Sequence, residues 1–298
     1  MEIIIGILLA IILFFVIIMI VDGNRFVIKE YTLESDKVET EQKIAVLADL
    51  HNKKYGSDNE TLIKAIRNVN PDIVLAAGDI LTAKPGKSYE TAASFMEKIA
   101  AEYPVYYGLG NHEYRMKIYP EDYGDMFDRY ISRLKKAGII VLDNETAEIK
   151  IYKTDNKEAD KDYFSLRITG VSIERLYYKR FRKIKMEDSY LKGLLGNPKK
   201  DAFEILLAHN PEYFSEYASW GADLVLSGHV HGGIMKLPVF GGVISPKLVL
   251  FPKYDGGMFK EKGSTMILSR GLGMHTIPIR IFNPGELVVV HLLPCKSK

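Results

Sequence analysis

The chain is expected to fold as a layered α/β domain behind an apolar N-terminal helix. Three observations point there. A strand that ends in a polar tip and leads toward a helix recurs three times in the first half of the chain. The run from Ile3 to Val21 contains no charged side chain. Later apolar runs, Phe203 to Ala208 and Ala222 to Leu226, again end in polar, histidine-bearing tips.

In chain order, Ile3 to Val21 is long enough for a bilayer-spanning helix, which needs roughly 20 apolar residues. A cleaved signal peptide is the other reading, but no basic residue precedes the run and no small-x-small site stands before Asp22-Gly23-Asn24. An uncleaved single-pass anchor in the cell membrane is therefore expected. Arg25, Lys29, Lys37 and Lys43 follow the span, so the positive-inside rule places the remaining chain on the cytoplasmic side. Asn24 to Ser35 reads as a juxtamembrane strand.

Lys43 to Ala48 is a continuous apolar run broken only by its first residue, the pattern of a strand buried on both faces, and it ends in Asp49-Leu50-His51. Ser57 with Glu60 predicts a capping box, and Leu62, Ile66 and Val69 at helical spacing predict the helix behind it, which Pro71 stops. Ile73 to Ala77 is the second buried strand, with Gly78-Asp79 at its tip. Phe95, Met96, Ile99 and Ala100 mark a helix, and Pro104 to Leu109 a strand that ends in Gly110-Asn111-His112-Glu113.

Phe127, Tyr130, Ile131 and Leu134 predict a further helix, closed by Gly138, and Ile139 to Leu142 opens a part richer in strands. Ala147 to Lys153 and Tyr163 to Thr169 read as a hairpin around the loop Thr154 to Lys161. Phe203 to Ala208 is a buried strand ending in His209-Asn210-Pro211, and Pro211 can open a helix through Trp220. The next strand ends in Ser227-Gly228-His229-Val230-His231-Gly232-Gly233. On a continuing strand two imidazoles at i and i+2 would face apart, whereas a glycine-released turn lets both converge. Strands near Thr265–Ser269 and Glu286–Leu292 close the chain.

Composition narrows the function classes. With 40 basic and 38 acidic residues in 298, the net charge of +2 provides no field of the kind nucleic-acid binders present. Cys295 is the single cysteine, which excludes an internal disulfide and a thiolate metal site. The chemistry must then come from the strand tips: Asp49, His51, Asp79, Asn111, His112, His209, His229 and His231. One Asp or His at a strand end is usually a turn former. Together they offer carboxylate, amide oxygen and imidazole, the mixture a hard-to-borderline divalent ion takes, in sufficient number for a pair of ions if one carboxylate bridges them. Such a pair acidifies a water and offsets charge on the attacking and leaving oxygens of an in-line phosphoryl displacement. Mn²⁺ is the favoured metal, with Fe or Zn²⁺ also compatible.

Asp49-Leu50-His51, Gly78-Asp79, Gly110-Asn111-His112-Glu113, His209 and Gly228-His229-Val230-His231 resemble, in order, the motif set of the calcineurin-like metallophosphoesterase superfamily. Ser269-Arg270-Gly271-Leu272-Gly273 and Phe282-Asn283-Pro284-Gly285-Glu286 are similar to the membrane-anchored bacterial phosphodiesterase branch. The resemblance implies a four-layer α/β/β/α sandwich over residues 43–298, behind an anchor at 1–22 and a juxtamembrane segment at 23–42. It further implies that Asp49, His51 and His231 hold one ion, that Asn111, His209 and His229 hold the other, and that Asp79 bridges them. His112 is the expected proton or hydrogen-bond donor, oriented by Glu113. Asn52 after His51 and Ile234 after Gly233 depart from the family pattern at positions that concern substrate more than metal.

The function so implied is hydrolysis of a phosphodiester or pyrophosphate by metal-activated hydroxide, on a phosphorylated small molecule or a lipid headgroup. An idle scaffold of the same fold should lack a ligand or the donor, and none is missing here. A metallo-β-lactamase type of site would need His-x-His-x-Asp-His, where this chain has Gly232-Gly233 after His231. Arg175, Lys179, Arg180, Arg182, Lys183 and Lys185, with Tyr177, Tyr178 and Phe181 interleaved, make a basic cluster that is either a solvated face or a contact for anionic headgroups. Ile234 to Phe251 reads as core or as an apolar lip beside the site. Cys295 and His275 are assigned no role.

Overall fold

The computed structural model describes residues 1–152, 163–179, 183–233, 235–237, 241–244, 250, 252–274 and 279–295. Helix α1 (Glu2–Asn24) is followed by β1 (Phe26–Ser35) and β2 (Gln42–Leu47). Then come α2 (Glu60–Val69), β3 (Ile73–Ala77), α3 (Glu90–Ala100), β4 (Val105–Gly108), α4 (Asn111–Ile118), α5 (Pro120–Tyr123), α6 (Met126–Lys136) and β5 (Ile140–Leu142). The second half contains β6 (Thr146–Tyr152), β7 (Tyr163–Val171), a 3₁₀ turn at Arg175–Tyr178, α7 (Tyr190–Leu195), β8 (Phe203–Ala208), α8 (Phe214–Trp220) and β9 (Leu224–Ser227). It closes with β10 (Met235–Leu237), β11 (Gly241–Ile244), β12 (Gly257–Glu261), β13 (Ser264–Leu268) and β14 (Gly285–Pro294).

Among the described residues the strands form two six-stranded sheets, ordered β1-β14-β2-β3-β4-β5 and β12-β13-β9-β8-β7-β6, plus the small hairpin β10-β11. In the first sheet β2, β3, β4 and β5 run parallel, and in the second β7, β8, β9 and β13 do. Both faces of each sheet are covered, which is why these strands read as unbroken apolar runs. Alternate residues of β2 part company: Ala45 and Leu47 pack with Leu62, Ile66 and Phe95 of the helices, while Ile44 and Val46 pack with Ile205 and Leu207 of the other sheet. From β8, Leu206 and Ala208 turn the opposite way, onto Phe214 and Tyr217 of α8. Helices, sheet, sheet and helices stack in that order, the four-layer sandwich expected. Each fully buried aliphatic side chain contributes about 1.5–3 kcal/mol to holding the layers together.

One local expectation is corrected. Ser57 and Glu60 do not form a capping box: Ser57–Asn59 is a 3₁₀ turn with Asp58 and Asn59 in the left-handed region, and α2 begins at Glu60. Asn59 is committed elsewhere, its Oδ1 accepting from the Tyr55 amide at 2.9 Å. The strand expected over Asn24 to Ser35 is β1, which pairs in parallel with β14 along its whole length, from Phe26 opposite Gly285 to Ser35 opposite Pro294. The hairpin of β6 and β7 is antiparallel as expected, and its loop lies outside the described residues, as do His275, Arg180 to Arg182 and most of the apolar stretch Ile234 to Phe251. Of the residues of that stretch that are described, β10 and β11 form a small hairpin and Leu250 is exposed.

Candidate metal centre

The carboxyl ends of the parallel strands of both sheets meet over one point, and every strand tip singled out by the sequence lies there. In the first sheet the tips are stitched to each other by main chain: Asp49 N–H donates to Gly78 O at 3.0 Å, His51 N–H to Asp79 O at 3.1 Å and Asn52 N–H to Ile80 O at 3.0 Å. Asp49, His51 and Asp79 adopt φ values of 50°, 51° and 54°. The left-handed region costs a non-glycine residue about 1 kcal/mol or more, so the surrounding hydrogen bonds must hold these backbones in place.

Part of that holding is done by Glu113, a fully buried residue in the first turn of α4. Its Oε2 accepts from the amides of Asp79 and Gly110, both at 3.0 Å, and its Oε1 from the amide of Ile80 at 3.0 Å and the Tyr107 hydroxyl at 2.7 Å. These contacts fix the main chain around Asp79. Burial first, and then the charge of Asp79, push the Glu113 carboxyl up to about 7, against the pull of its donors.

From the second sheet, β8 delivers His209 and β9 delivers His229 and His231, the last two at φ 75° and 52°. The His229 amide donates to both oxygens of Asp49, at 2.9 and 3.1 Å. That approach requires Gly228, because a Cβ there would run into the Asp49 carboxylate. His209 Nδ1 faces Ala77 O at 2.8 Å, so Nδ1 carries a proton and Nε2 turns toward the carboxylates.

The ligand atoms form three overlapping groups: Asp49 with His51 and His231, His51 with Asp79 and His112, and Asp79 with His209 and His229, all within 4.8 Å inside each group. Asp79 Oδ2 stands 3.1 Å from His209 Nε2, 3.9 Å from His51 Nε2 and 3.9 Å from His112 Nε2. Asp49 Oδ1 lies 3.4 Å from His231 Nε2, 3.8 Å from His51 Nε2 and 3.7 Å from His209 Nε2. The Nε2 atoms of His51 and His231 are 3.2 Å apart. Thr82 donates its hydroxyl proton to His51 O at 3.2 Å and sits 3.4 Å from His51 Nδ1, an arrangement that leaves His51 Nε2 as a lone-pair donor. Asn111 Oδ1 is buried and accepts no hydrogen bond.

These residues fit divalent cations. Two close-set imidazoles, an amide oxygen with no donor among the described residues and two buried carboxylates are a poor packing arrangement and a good donor set. The local field agrees. Burial pushes Asp49 up to about 7, with His209 opposing and Asp79 adding to the rise. Burial acts upward on Asp79 too, but the imidazoles of His209, His112 and His51 outweigh it and hold the carboxyl well below its usual range. His209 shows the converse: burial alone would lower it, yet the carboxylates of Asp79 and Asp49 raise it to about 10. A point that stabilises an imidazolium that strongly also attracts a metal cation.

His112 stands at the edge of this group. Its Nδ1 accepts the Ala83 amide proton at 2.9 Å, so the neutral ring carries its own proton on Nε2, the atom that faces Asp79. Its main-chain amide donates to Asp79 Oδ1 at 2.8 Å.

Several residues that serve the site were assigned no role from sequence. The Asn283 side-chain amide donates to His231 O and Gly233 O, both at 2.8 Å, and so holds the His-x-His loop. Asp22, at the end of α1, accepts from the Asn283 amide at 3.0 Å, and Lys53 donates to Asn24 Oδ1 at 3.0 Å. Buried Arg280 donates to the carbonyls of Arg270, Gly271 and Asn283 at 2.9, 3.0 and 3.1 Å. The loop it braces donates from Leu272 N to Ala48 O at 3.0 Å. The Tyr178 ring meets the edge of His229, centroids 5.2 Å apart. The Asn-Pro-Gly turn and the Tyr-bearing basic run were visible in the sequence; nothing local marked Arg280 or Asp22.

The calcineurin-like phosphoesterase family profile matches residues 42–233. The chain belongs to that family. Among its relatives, an uncharacterized metallophosphoesterase of Aquifex aeolicus (strain VF5) is 29% identical over 88% of this chain and 90% of that protein. The uncharacterized metallophosphoesterase YkuE of Bacillus subtilis (strain 168) is 26% identical over 84% of this chain and 78% of its own length. UDP-2,3-diacylglucosamine pyrophosphatase LpxG of Chlamydia muridarum (strain MoPn / Nigg) is 23% identical over 84% and 83%. Among solved structures, the sulfate thiohydrolase SoxB of Thermus thermophilus superposes with a TM-score of 0.44 at 12% identity, covering 88% of this chain and 58% of that one.

Proposed function

We propose that the protein is a membrane-anchored, two-metal phosphoesterase that hydrolyses a phosphodiester or pyrophosphate bond, with a lipid-linked substrate favoured. The observation that carries this reading is the position of the Asp79 carboxylate, shared between the group containing His51 and the group containing His209 and His229. Asp49, His51 and His231 would hold one ion and Asn111, His209 and His229 the other, with Asp79 between them. When bound, such a pair supplies Lewis-acid charge and an acidified water; Mn²⁺ is the favoured metal.

The chain's own residues supply the rest. His112 presents an Nε2 proton to the shared carboxylate edge, where a leaving oxygen can receive it. Glu113 and Asn283 hold the two ligand-bearing loops so that the donors converge without rearrangement when charge develops. Membrane attachment is supported by α1, whose side chains from Ile3 to Ile17 are exposed and which is long and apolar enough to cross a bilayer. The lysines and arginine after α1 favour a cytoplasmic domain. A lipid-linked substrate is supported by that attachment and by the likeness to LpxG.

The test is a substrate panel on the full chain in detergent, with Mn²⁺, Fe²⁺ or Zn²⁺ added back after chelation and His112→Ala as control. Metal-dependent turnover is expected, with His112→Ala lowering kcat by about 10²–10⁴ at unchanged metal content, the size of a general-acid contribution. Turnover of water-soluble diesters equal to or better than that of lipid-embedded ones would remove the lipid-linked part of the reading.

A further inference from the structure

Beside the ligand groups lies a cavity of about 700 Å³ whose walls include Asn111, Arg115, Tyr119, Arg175, Tyr178 and Lys179. It shares two walls with the metal centre: Asn111, and Tyr178, whose ring abuts His229. Asn111 and Arg115 are separated by one turn of α4, so their side chains leave neighbouring points of the same helix face, roughly 5–6 Å apart at Cβ. Opposite them the 3₁₀ turn Arg175–Tyr178 brings Arg175 over the Tyr119 ring, its guanidinium carbon 4.9 Å from the ring centre. A guanidinium seated on an aromatic face keeps its N–H edge free to point outward.

Two guanidiniums and an ammonium line this cavity, and among the described residues no carboxylate does. The acids that act on Tyr114, Glu174 and Asp143, are not in the lining, and Asp143 is paired with Lys117. Positive groups gathered in a concave space with no fixed counter-charge await an anionic ligand, and paired guanidiniums suit phosphoryl oxygens in particular.

We infer that this cavity binds a second phosphoryl group joined to the one under attack, so that the preferred substrates are pyrophosphate-linked. The inference rests on the two-metal reading above and narrows its substrate class. In the reaction the oxygen of water bonds to the phosphorus at the metal centre and the bridging P–O bond breaks. The bridging oxygen stays with the second phosphoryl, which Arg115 and Arg175 hold. The elements of water are divided, hydroxyl to one product and proton to the released oxygen of the other, giving two phosphomonoesters.

The experiment uses the full chain in detergent with Mn²⁺ and two soluble probes: UDP-glucose, with two joined phosphoryl groups, and bis-p-nitrophenyl phosphate, with one. Arg115→Gln and Arg175→Gln should each raise KM for UDP-glucose about tenfold or more, while kcat/KM for the single-phosphorus probe stays within about threefold; Arg175→Lys should recover part of the loss. A third arm presents CDP-diacylglycerol in phosphatidylcholine vesicles. Arginine dependence there but not with UDP-glucose assigns the second phosphoryl to a lipid, and dependence in both assigns it to either source; each outcome supports the site. Equal losses on all probes, or no loss on any, overturn it and leave the hydrolase reading standing. Failure of the unaltered chain to cleave any probe with Mn²⁺, Fe²⁺ or Zn²⁺ overturns the two-metal reading itself, and this inference with it.

Discussion

The two halves of the metal centre are supported in different ways. On the first sheet, Asp49, His51 and Asp79 sit on loops joined by main-chain hydrogen bonds between neighbouring strand tips, and the buried support is Glu113, close in sequence to Asn111 and His112. On the second, His209, His229 and His231 are held from outside their own loops. Ala77 O fixes His209, the Asp49 carboxylate fixes the His229 amide, and Asn283 fixes the His231 loop. Asn283 is in turn backed by Asp22 at the end of α1. The first half is held from within its own sheet, and the second also depends on residues of the opposite one. Damage to the helix–domain junction should therefore reach the second half and spare the first.

The comparison can be broken most severely at the residue both halves share. Asp79→Asn removes one negative charge from a carboxylate that faces His51, His112 and His209. It should lower metal-dependent turnover by about 10³-fold or more and reduce bound metal from two ions per chain, as measured by plasma emission on the purified protein. Two bound ions together with near-normal activity would mean that the two halves are not joined through Asp79.

A sharper contrast comes from the two supports. Glu113→Gln places an amide nitrogen against amide donors, leaving a buried clash of like groups, and should cost about 1–3 kcal/mol of stability along with metal affinity. Asn283→Ala should leave thermal stability closer to normal while weakening metal binding by about 10–100-fold, the usual reach of a residue that orients a ligand. Calorimetric unfolding and metal titration on both variants check this. If their profiles are the same, the distinction between support within a sheet and support across the two sheets is lost.

The smallest effect is expected at the junction with the helix. Asp22→Ala deprives the Asn283 amide of its acceptor and Arg25 of its partner, a loss of about 1 kcal/mol each. Turnover should fall a few-fold, in the same direction as Asn283→Ala and by less than it does there. A loss larger than that of Asn283→Ala would show that α1 acts on the site by another route.

Much of this arrangement was legible in the chain before folding was considered. Buried strands announce themselves as unbroken apolar runs, and the polar residues that interrupt them, from Asp49 to His231, are local signals that survive into the structure because the strands are covered on both faces. Local signals fail where another contact competes. Ser57 and Glu60 spell a capping box, but the loop after His51 is bent into a 3₁₀ turn with Asn59 committed to Tyr55. The alternating stretch after the apolar helix reads as a strand and is one, but its partner β14, more than 250 residues away, could come only from the fold.

The sequence by itself determined which side chains could bind cations, in what order they follow the strands, and that a long apolar helix precedes them, since each depends on residues adjacent in the chain. Folding alone decided that Asp49, His51, Asp79, His229 and His231 all bend through left-handed backbone toward one point, that Glu113 supports the Asp79 loop, and that Asn283 and Asp22 connect the His-x-His turn to α1. The reason is that these features are contacts between segments far apart in sequence. Only the closing of the two sheets over each other makes the strained conformations and buried charges cost less than the alternatives.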